Sequence, residues 1–265
     1  MANSEIVVGG CRIPVTHNIA DNLAEIKKAI DWAAENGVDI MSTPECALSG
    51  YMWHPADQKD PRVLELSDAI KDLQKYSAEK RVDLVLGTAW YNSKNQWTNL
   101  QAFIIDGECK QTHRKNVLFE KETDHYAKGM DATVFDYKGL RIGGMICNDF
   151  WANPMTFGGM SGDLLRGLLR QRANIVFLSA NVPKTIGPNN MFYNWHKVCI
   201  EMFSAYGVWN TVVCDTANNV DGTPYDGDSC VPCGICDYTT EWLMAPEKGT
   251  AYFKASFQPD LKIEK

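Results

Sequence analysis

Short, wholly apolar runs alternating with helix-period segments constrain this chain more than any other feature. Ile175-Val176-Phe177-Leu178 offers no polar residue to either side of a strand, and Val82-Asp83-Leu84-Val85-Leu86-Gly87 offers one. Such strands need cover on both faces, which a sheet with one wet face cannot provide. Residues 5 to 11 and Val38-Asp39-Ile40-Met41 add two more short strands. Between the strands the period changes. After Asn18, apolar residues Leu23, Ile26, Ile30 and Ala33 recur at three- and four-residue steps, with Asn18 and Asp21 to cap the start and Gly37 to stop the helix. Similar patterns run through Ala69, Ile70, Leu73 and Tyr76, through Leu164, Leu165, Leu168 and Leu169, and from about Asn190 to Tyr206.

Leu100 to Ile105 and Glu108 to His113 flank Asp106-Gly107, while Thr133 to Tyr137 and Leu140 to Cys147 flank Lys138-Gly139. Both pairs read as hairpins whose turns tolerate positive φ. Val208 to Val213 follows the last helix, and the tail offers short strands broken at Asp226-Gly227 and Lys248-Gly249. This order predicts an α/β fold in which two sheets pack face to face with helices outside. No repeat, low-complexity stretch or Pro/Gly-rich linker interrupts it, so residues 1–265 are expected to form a single domain.

Charge and cysteine usage narrow the function classes. A net charge of −7 and an isoelectric point near 5.3 argue against nucleic-acid binding, which calls for a basic stripe. Lys and Arg are scattered, which argues against a polybasic membrane anchor. No apolar stretch approaches the ~20 residues of a membrane span. The chain enters Ile6-Val7-Val8 almost at once, leaving no room for a signal peptide, so a soluble cytoplasmic protein is expected. Nine cysteines spread from Cys11 to Cys236 then read as reduced thiols, mostly small core residues. Cys230-x-x-Cys233-x-x-Cys236 has no neighbouring His to complete four ligands, so a loop-and-strand reading is expected there and no metal site.

Three residues at strand ends point to chemistry. Cys147 closes the run Leu140-Arg141-Ile142-Gly143-Gly144-Met145-Ile146 and precedes Asn148-Asp149-Phe150-Trp151. A thiol placed where a strand gives way to a loop can act as a nucleophile if a base is near. Glu45 in Thr43-Pro44-Glu45 and Lys115 in His113-Arg114-Lys115 follow two earlier strands. Singly, each has a plainer reading: Glu45 a solvated carboxylate, Lys115 a surface charge, Cys147 a core thiol. Strand C-terminal ends, however, converge on one rim of an α/β sheet, where sites are commonly built. Glu, Lys and Cys in that order suggest a thiol hydrolase acting on a carbon–nitrogen bond.

These segments resemble the nitrilase superfamily of carbon–nitrogen hydrolases. Thr43-Pro44-Glu45-Cys46-Ala47-Leu48-Ser49-Gly50-Tyr51 is similar to the segment carrying the family's glutamate base, and Arg114-Lys115-Asn116-Val117-Leu118-Phe119 to its lysine segment. Gly143-Gly144-Met145-Ile146-Cys147-Asn148-Asp149 is similar to its nucleophile elbow. Glu122-Thr123-Asp124-His125-Tyr126-Ala127-Lys128-Gly129 resembles the stretch with the family's second glutamate, and Gly227-Asp228-Ser229 a C-terminal turn. The likeness, from about residue 5 to residue 256, implies a four-layer α-β-β-α sandwich that associates into homo-oligomers. It also implies acyl transfer through a Cys147 thioester, with no metal or organic cofactor. Glu45 would serve as base and Glu122 would orient Lys115. The Lys115 ammonium would draw the thiol below its usual pKa of about 8.5. With the backbone N–H of Asn148, it would also receive the oxyanion.

The chain departs from the pattern after the elbow. Trp151 stands where many members carry an Arg, so a bidentate clamp on a substrate carboxylate is missing there, and Lys184 or His125 are the candidates to replace it. Asn148 follows the cysteine where true nitrilases tend to carry Trp, which favours a small amide or N-carbamoyl substrate over a nitrile. Asn148, Trp151, His125, Tyr51 and Asn181 are the expected substrate contacts, although Asn181 also suits a turn. Phe150, Trp151, Phe192, Tyr193 and Trp195 read either as an aromatic pocket or as core. Gly158-Gly159-Met160-Ser161-Gly162 reads as a helix start capped by Ser161. Competing readings are nitrile hydrolysis by the same residues, a catalytically idle scaffold, and a metal or thiol-redox protein resting on the Cys230–Cys236 cluster.

Overall fold

Twelve strands and four helices are seen in a computed structural model that describes residues 5–51, 60–151, 162–182, 191–217, 231–246 and 249–259. The first sheet contains β1 (Ile6–Arg12), β2 (Ile40–Ser42), β3 (Asp83–Tyr91), β4 (Trp97–Ile105), β5 (Glu108–Arg114) and β12 (Ala251–Phe257), in the order β12-β1-β2-β3-β4-β5. The second contains β6 (Val134–Tyr137), β7 (Leu140–Ile146), β8 (Ile175–Ser179), β9 (Asn210–Cys214), β10 (Gly234–Cys236) and β11 (Trp242–Met244), in the order β11-β10-β9-β8-β7-β6. Each sheet is parallel at its centre, β1-β2-β3 and β7-β8-β9, and antiparallel toward its edges. Helices α1 (Ile19–Glu35) and α2 (Pro61–Lys80) cover the first sheet, while α3 (Gly162–Arg170) and α4 (Met191–Gly207) cover the second. This is the α-β-β-α sandwich that the resemblance implies.

The apolar runs are explained by three stacked cores. Because side chains alternate across a strand, one run serves two layers. Val85 enters the core between the sheets, whereas Leu84 and Leu86 enter the core under α1 and α2. Ile175 and Phe177 likewise face the other sheet, and Val176 and Leu178 face α3 and α4.

The helix starts obey local chemistry. Asn18 Oδ1 accepts from the N–H groups of Ala20 and Asp21 at 2.9 and 3.1 Å, and Gly37 leaves α1 with φ +66°. Asp60 caps α2 through the Arg62 N–H at 3.0 Å with Pro61 in the first turn, so that helix begins well before the apolar positions that predict it.

Several boundaries differ from expectation. β2 starts at Ile40, because Val38 N–H still bonds Ala33 O of α1 and ladder pairing begins only beside Val8 and Asp83. β9 starts at Asn210, because Val208 takes φ +54° to leave α4. Phe150 and Trp195 belong to the core under α3 and α4, with ring centroids 6.3 Å apart, which replaces the pocket reading for these two. Cys233 lies in the core between the sheets and Cys236 in the helix-side core, so the two thiols point to opposite sides of their sheet. Cys230, Lys184, Asp226-Gly227, Gly227-Asp228-Ser229, Lys248 and residues 158–161 lie outside the described residues, as do the side chains of Trp151 and Phe192. No helix among the described residues is long and apolar enough to cross a membrane.

Candidate active site

Glu45 is delivered by the turn that follows β2. Thr43 pins the turn to β3, its N–H bonding Val85 O at 3.0 Å and its Oγ1 accepting the Gly87 N–H at 2.9 Å. The Glu45 N–H reaches across to Ala180 O, just past β8, at 3.1 Å. Gly87 is required here because a Cβ at that position would collide with the Pro44 carbonyl. Lys115 follows β5 directly, with its N–H on Asn99 O of β4 at 2.9 Å. Cys147 follows β7 with φ +43°, the left-handed conformation of a strand-to-turn elbow, and opens a short 3₁₀ turn to Trp151.

Three charged side chains meet with no exposed surface. Lys115 Nζ lies 2.6 Å from Glu45 Oε1 and 2.8 Å from Glu122 Oε2. Asn99 Nδ2 donates to the same two carboxylates, at 2.7 Å to Glu45 Oε1 and 3.0 Å to Glu122 Oε1. Glu122 Oε2 also accepts the Phe119 N–H at 2.7 Å, so both of its oxygens are engaged. Glu45 differs: its Oε2 is buried and has no hydrogen-bond partner among the described residues. One carboxylate is held by both oxygens, and the other keeps a bare acceptor.

The electrostatics separate these groups further. Burial, with Glu122 nearby, pushes the Glu45 carboxyl up to about 7 against the opposing pull of Lys115 and Asn99. Burial alone would lower Lys115, but Glu45, Cys147 and Glu122 outweigh it and hold the ammonium well above its ordinary value. Burial and then Glu45 raise the Cys147 thiol well above its ordinary range, with Lys115 as the opposing influence. Lys115 thus acts on the thiol in the expected direction, but burial and Glu45 act the other way and outweigh it.

The remaining candidates fall at different distances from this centre. The Tyr51 ring lies 5.9 Å from Lys115 Nζ, and burial followed by Glu45 raises its hydroxyl, so Tyr51 belongs to the site wall. Asn148 adjoins Cys147, its Oδ1 3.9 Å from Cys147 Sγ. Asn181 is buried and donates to the Glu45 main-chain oxygen at 3.3 Å, so it braces the Glu45 turn. His125 is exposed and ends the short turn that carries Glu122, its N–H on Glu122 O at 3.0 Å. Trp151 closes the elbow turn.

Two residues at the centre escaped the sequence reading. Asn99 is one. Asp149 is the other: its Oδ1 accepts the N–H groups of Asn116 and Val117, both at 2.8 Å, while its Oδ2 accepts the Ile146 N–H at 3.0 Å and lies 2.9 Å from His113 Nε2. This carboxylate ties the cysteine elbow to the loop beyond Lys115. The available signal was polarity inside a strand, since Asn99 and Gln101 share a face with Phe103 in an otherwise apolar run.

The profile of the carbon-nitrogen hydrolase family matches residues 7–194, a stretch that contains Glu45, Lys115, Glu122 and Cys147. The chain belongs to the carbon–nitrogen hydrolase family. Among family relatives, it is 29% identical over 192 residues to a glutamine-dependent NAD(+) synthetase from Synechocystis sp., a match covering 66% of this chain and 33% of that protein. It is 26% identical over 250 residues to nitrilase homolog 2 of Dictyostelium discoideum, covering 82% of this chain and 74% of that protein. The chain thus spans about a third of the synthetase and about three quarters of the nitrilase homolog. The carbon–nitrogen hydrolase fold is shared with an amidase from Nesterenkonia sp., at TM-score 0.76 and 15% identity over 100% of this chain and 95% of the amidase.

Proposed function

We propose that this chain hydrolyses the carbon–nitrogen bond of a small amide or N-carbamoyl compound through a thioester on Cys147. One observation carries the reading: a buried carboxylate with an unpartnered oxygen, poised near neutrality, shares its site with a buried ammonium and an elbow thiol. The names of an amidase and a nitrilase homolog among its likenesses support the same class.

In this scheme the Cys147 sulfur attacks the amide carbon as its proton passes to Glu45 Oε2. Negative charge then develops on the carbonyl oxygen. Lys115 and the Asn148 backbone N–H receive it, each worth about 3 kcal/mol in the transition state. Glu45 returns the proton to the departing nitrogen as the C–N bond breaks, leaving an acyl thioester. It then takes a proton from water as the water oxygen attacks the thioester, and returns that proton to the sulfur as the C–S bond breaks, so that the acid leaves and the Cys147 thiol is restored. A single carboxyl can carry the proton both ways because burial sets it near 7. Glu122, with both oxygens engaged, holds Lys115 and moves no proton.

The test is ammonia release over a panel of short amides, ω-amides, N-carbamoyl amino acids and nitriles, with intact-mass detection of an acyl adduct. The wild type should release ammonia from an amide or carbamoyl member, and Cys147→Ala should abolish both release and adduct. Turnover that survives in Cys147→Ala would move the chemistry off this residue.

A further inference from the structure

Four buried groups crowd the site, and two of them are glutamates of the same intrinsic chemistry. What differs is how their oxygens are occupied. Lys115 cannot make that difference alone, because it contacts both carboxylates, Glu45 at 2.6 Å and Glu122 at 2.8 Å. The second shared contact is the Asn99 carboxamide, whose NH2 group spans Glu45 Oε1 and Glu122 Oε1 at 2.7 and 3.0 Å. Its main-chain oxygen also receives the Lys115 N–H at 2.9 Å, so one residue of β4 touches three members of the cluster.

We infer that Asn99 is a positioning residue that assigns unlike roles to two like carboxylates, by directing Glu45 Oε1 and Glu122 Oε1 inward onto one NH2 group so that only Glu45 Oε2 stays bare for the thiol proton. The inference rests on the amide-hydrolase reading above for its chemistry and on the hydrogen bonds alone for its geometry. A carboxamide suits the task. It has two N–H donors for two acceptors and adds no charge to a cluster already holding two carboxylates. Its own oxygen, Asn99 Oδ1, is buried without a hydrogen-bond partner among the described residues, so the side chain is turned to serve the glutamates rather than to satisfy itself. Unpaired buried acceptors are costly and uncommon, and the carboxylate that Asn99 donates to carries a second, Glu45 Oε2.

A consequence for pH follows. The groups that face Glu45 are Lys115, Glu122, Tyr51, Cys46, Tyr126 and Cys147, and Asn99 is the neutral donor among them that favours the ionised form. Removing its N–H groups should raise the pH at which Glu45 becomes a competent base.

The experiment compares wild type with Asn99→Leu, which removes the donors at similar volume, and Asn99→Asp, which keeps the shape and adds charge. Two profiles are recorded against pH: kcat/KM on an amide the wild type turns over, and the rate of Cys147 alkylation by a haloacetamide. Alkylation is followed by peptide mass because Cys109 is exposed. The acid limb of both profiles should move up by about one pH unit in Asn99→Leu and further in Asn99→Asp. Limbs that stay at the wild-type position in both variants would overturn the inference, as would a uniform loss at every pH accompanied only by a lower melting temperature. If no amide is turned over but the alkylation limb still moves, the hydrolase reading fails and this inference stands.

Discussion

Glu45 and Glu122 show how burial turns one side-chain type into two tools. Both are buried, but Glu122 has donors on each oxygen and Glu45 on one. Glu45 rises to about 7, so it is protonated below that pH and available as a base above it. Activity should therefore fall as pH drops through about 7, and this sign follows from the raised carboxyl, since the unionised acid cannot take the thiol proton. Linkage gives stability the opposite direction: between its ordinary value and about 7 the folded chain binds this proton more tightly than the unfolded chain, so stability is lost as pH rises through that window. Glu45→Gln should lower kcat/KM about 1,000-fold, a typical loss for a general base, and erase the acid limb near 7. A pH–rate profile of that variant with an unchanged limb would assign the titration to another group.

Each functional side chain owes its position to the end of a strand and the turn behind it. The Glu45 turn rests on β3 through Thr43 and Gly87, and the Cys147 elbow is tied to the Lys115 loop through Asp149. These ties make small backbone changes expensive for chemistry. Gly87→Ala would drive a methyl group into the Pro44 carbonyl and displace Glu45. A displacement on the order of 1 Å can cost about 100-fold in rate, so kcat/KM should fall by that factor while far-ultraviolet dichroism shows the sheets retained. Wild-type activity in Gly87→Ala would mean that the turn can shift without moving its carboxylate. The elements themselves were largely legible beforehand. Asn18 announced α1, the Asp106-Gly107 and Lys138-Gly139 turns announced two hairpins, and strand ends announced Glu45, Lys115 and Cys147. Asp149 was not legible, because its partners come from a loop more than thirty residues away in sequence, at Asn116 and Val117.

The two sheets are joined by polar clamps as well as by their shared apolar core. Toward the site, Gln101 of β4 donates to Phe177 O at 3.1 Å and Ser179 Oγ at 2.8 Å, and Ser179 passes the bond to Thr43 O at 2.7 Å. Elsewhere along the sheets, Tyr137 of β6 donates to Asp83 Oδ2 of β3 at 2.7 Å. Tyr137→Phe would leave that buried carboxylate oxygen short of a donor, so urea denaturation should show a loss of about 1–3 kcal/mol with little change in the site. A variant as stable as wild type would show that Lys138, 3.6 Å from the same oxygen, is sufficient. Apolar alternation and turn chemistry are local properties, so the amino-acid order alone settled the succession of elements, their layering and the three strand-end residues. The roles of Asn99, Asp149 and the bare oxygen of Glu45 depended on distances between segments remote in the chain. So did the upward shift of the Cys147 thiol, which burial and then Glu45 impose. Desolvation and Coulomb forces act through space, and only the folded arrangement sets those separations.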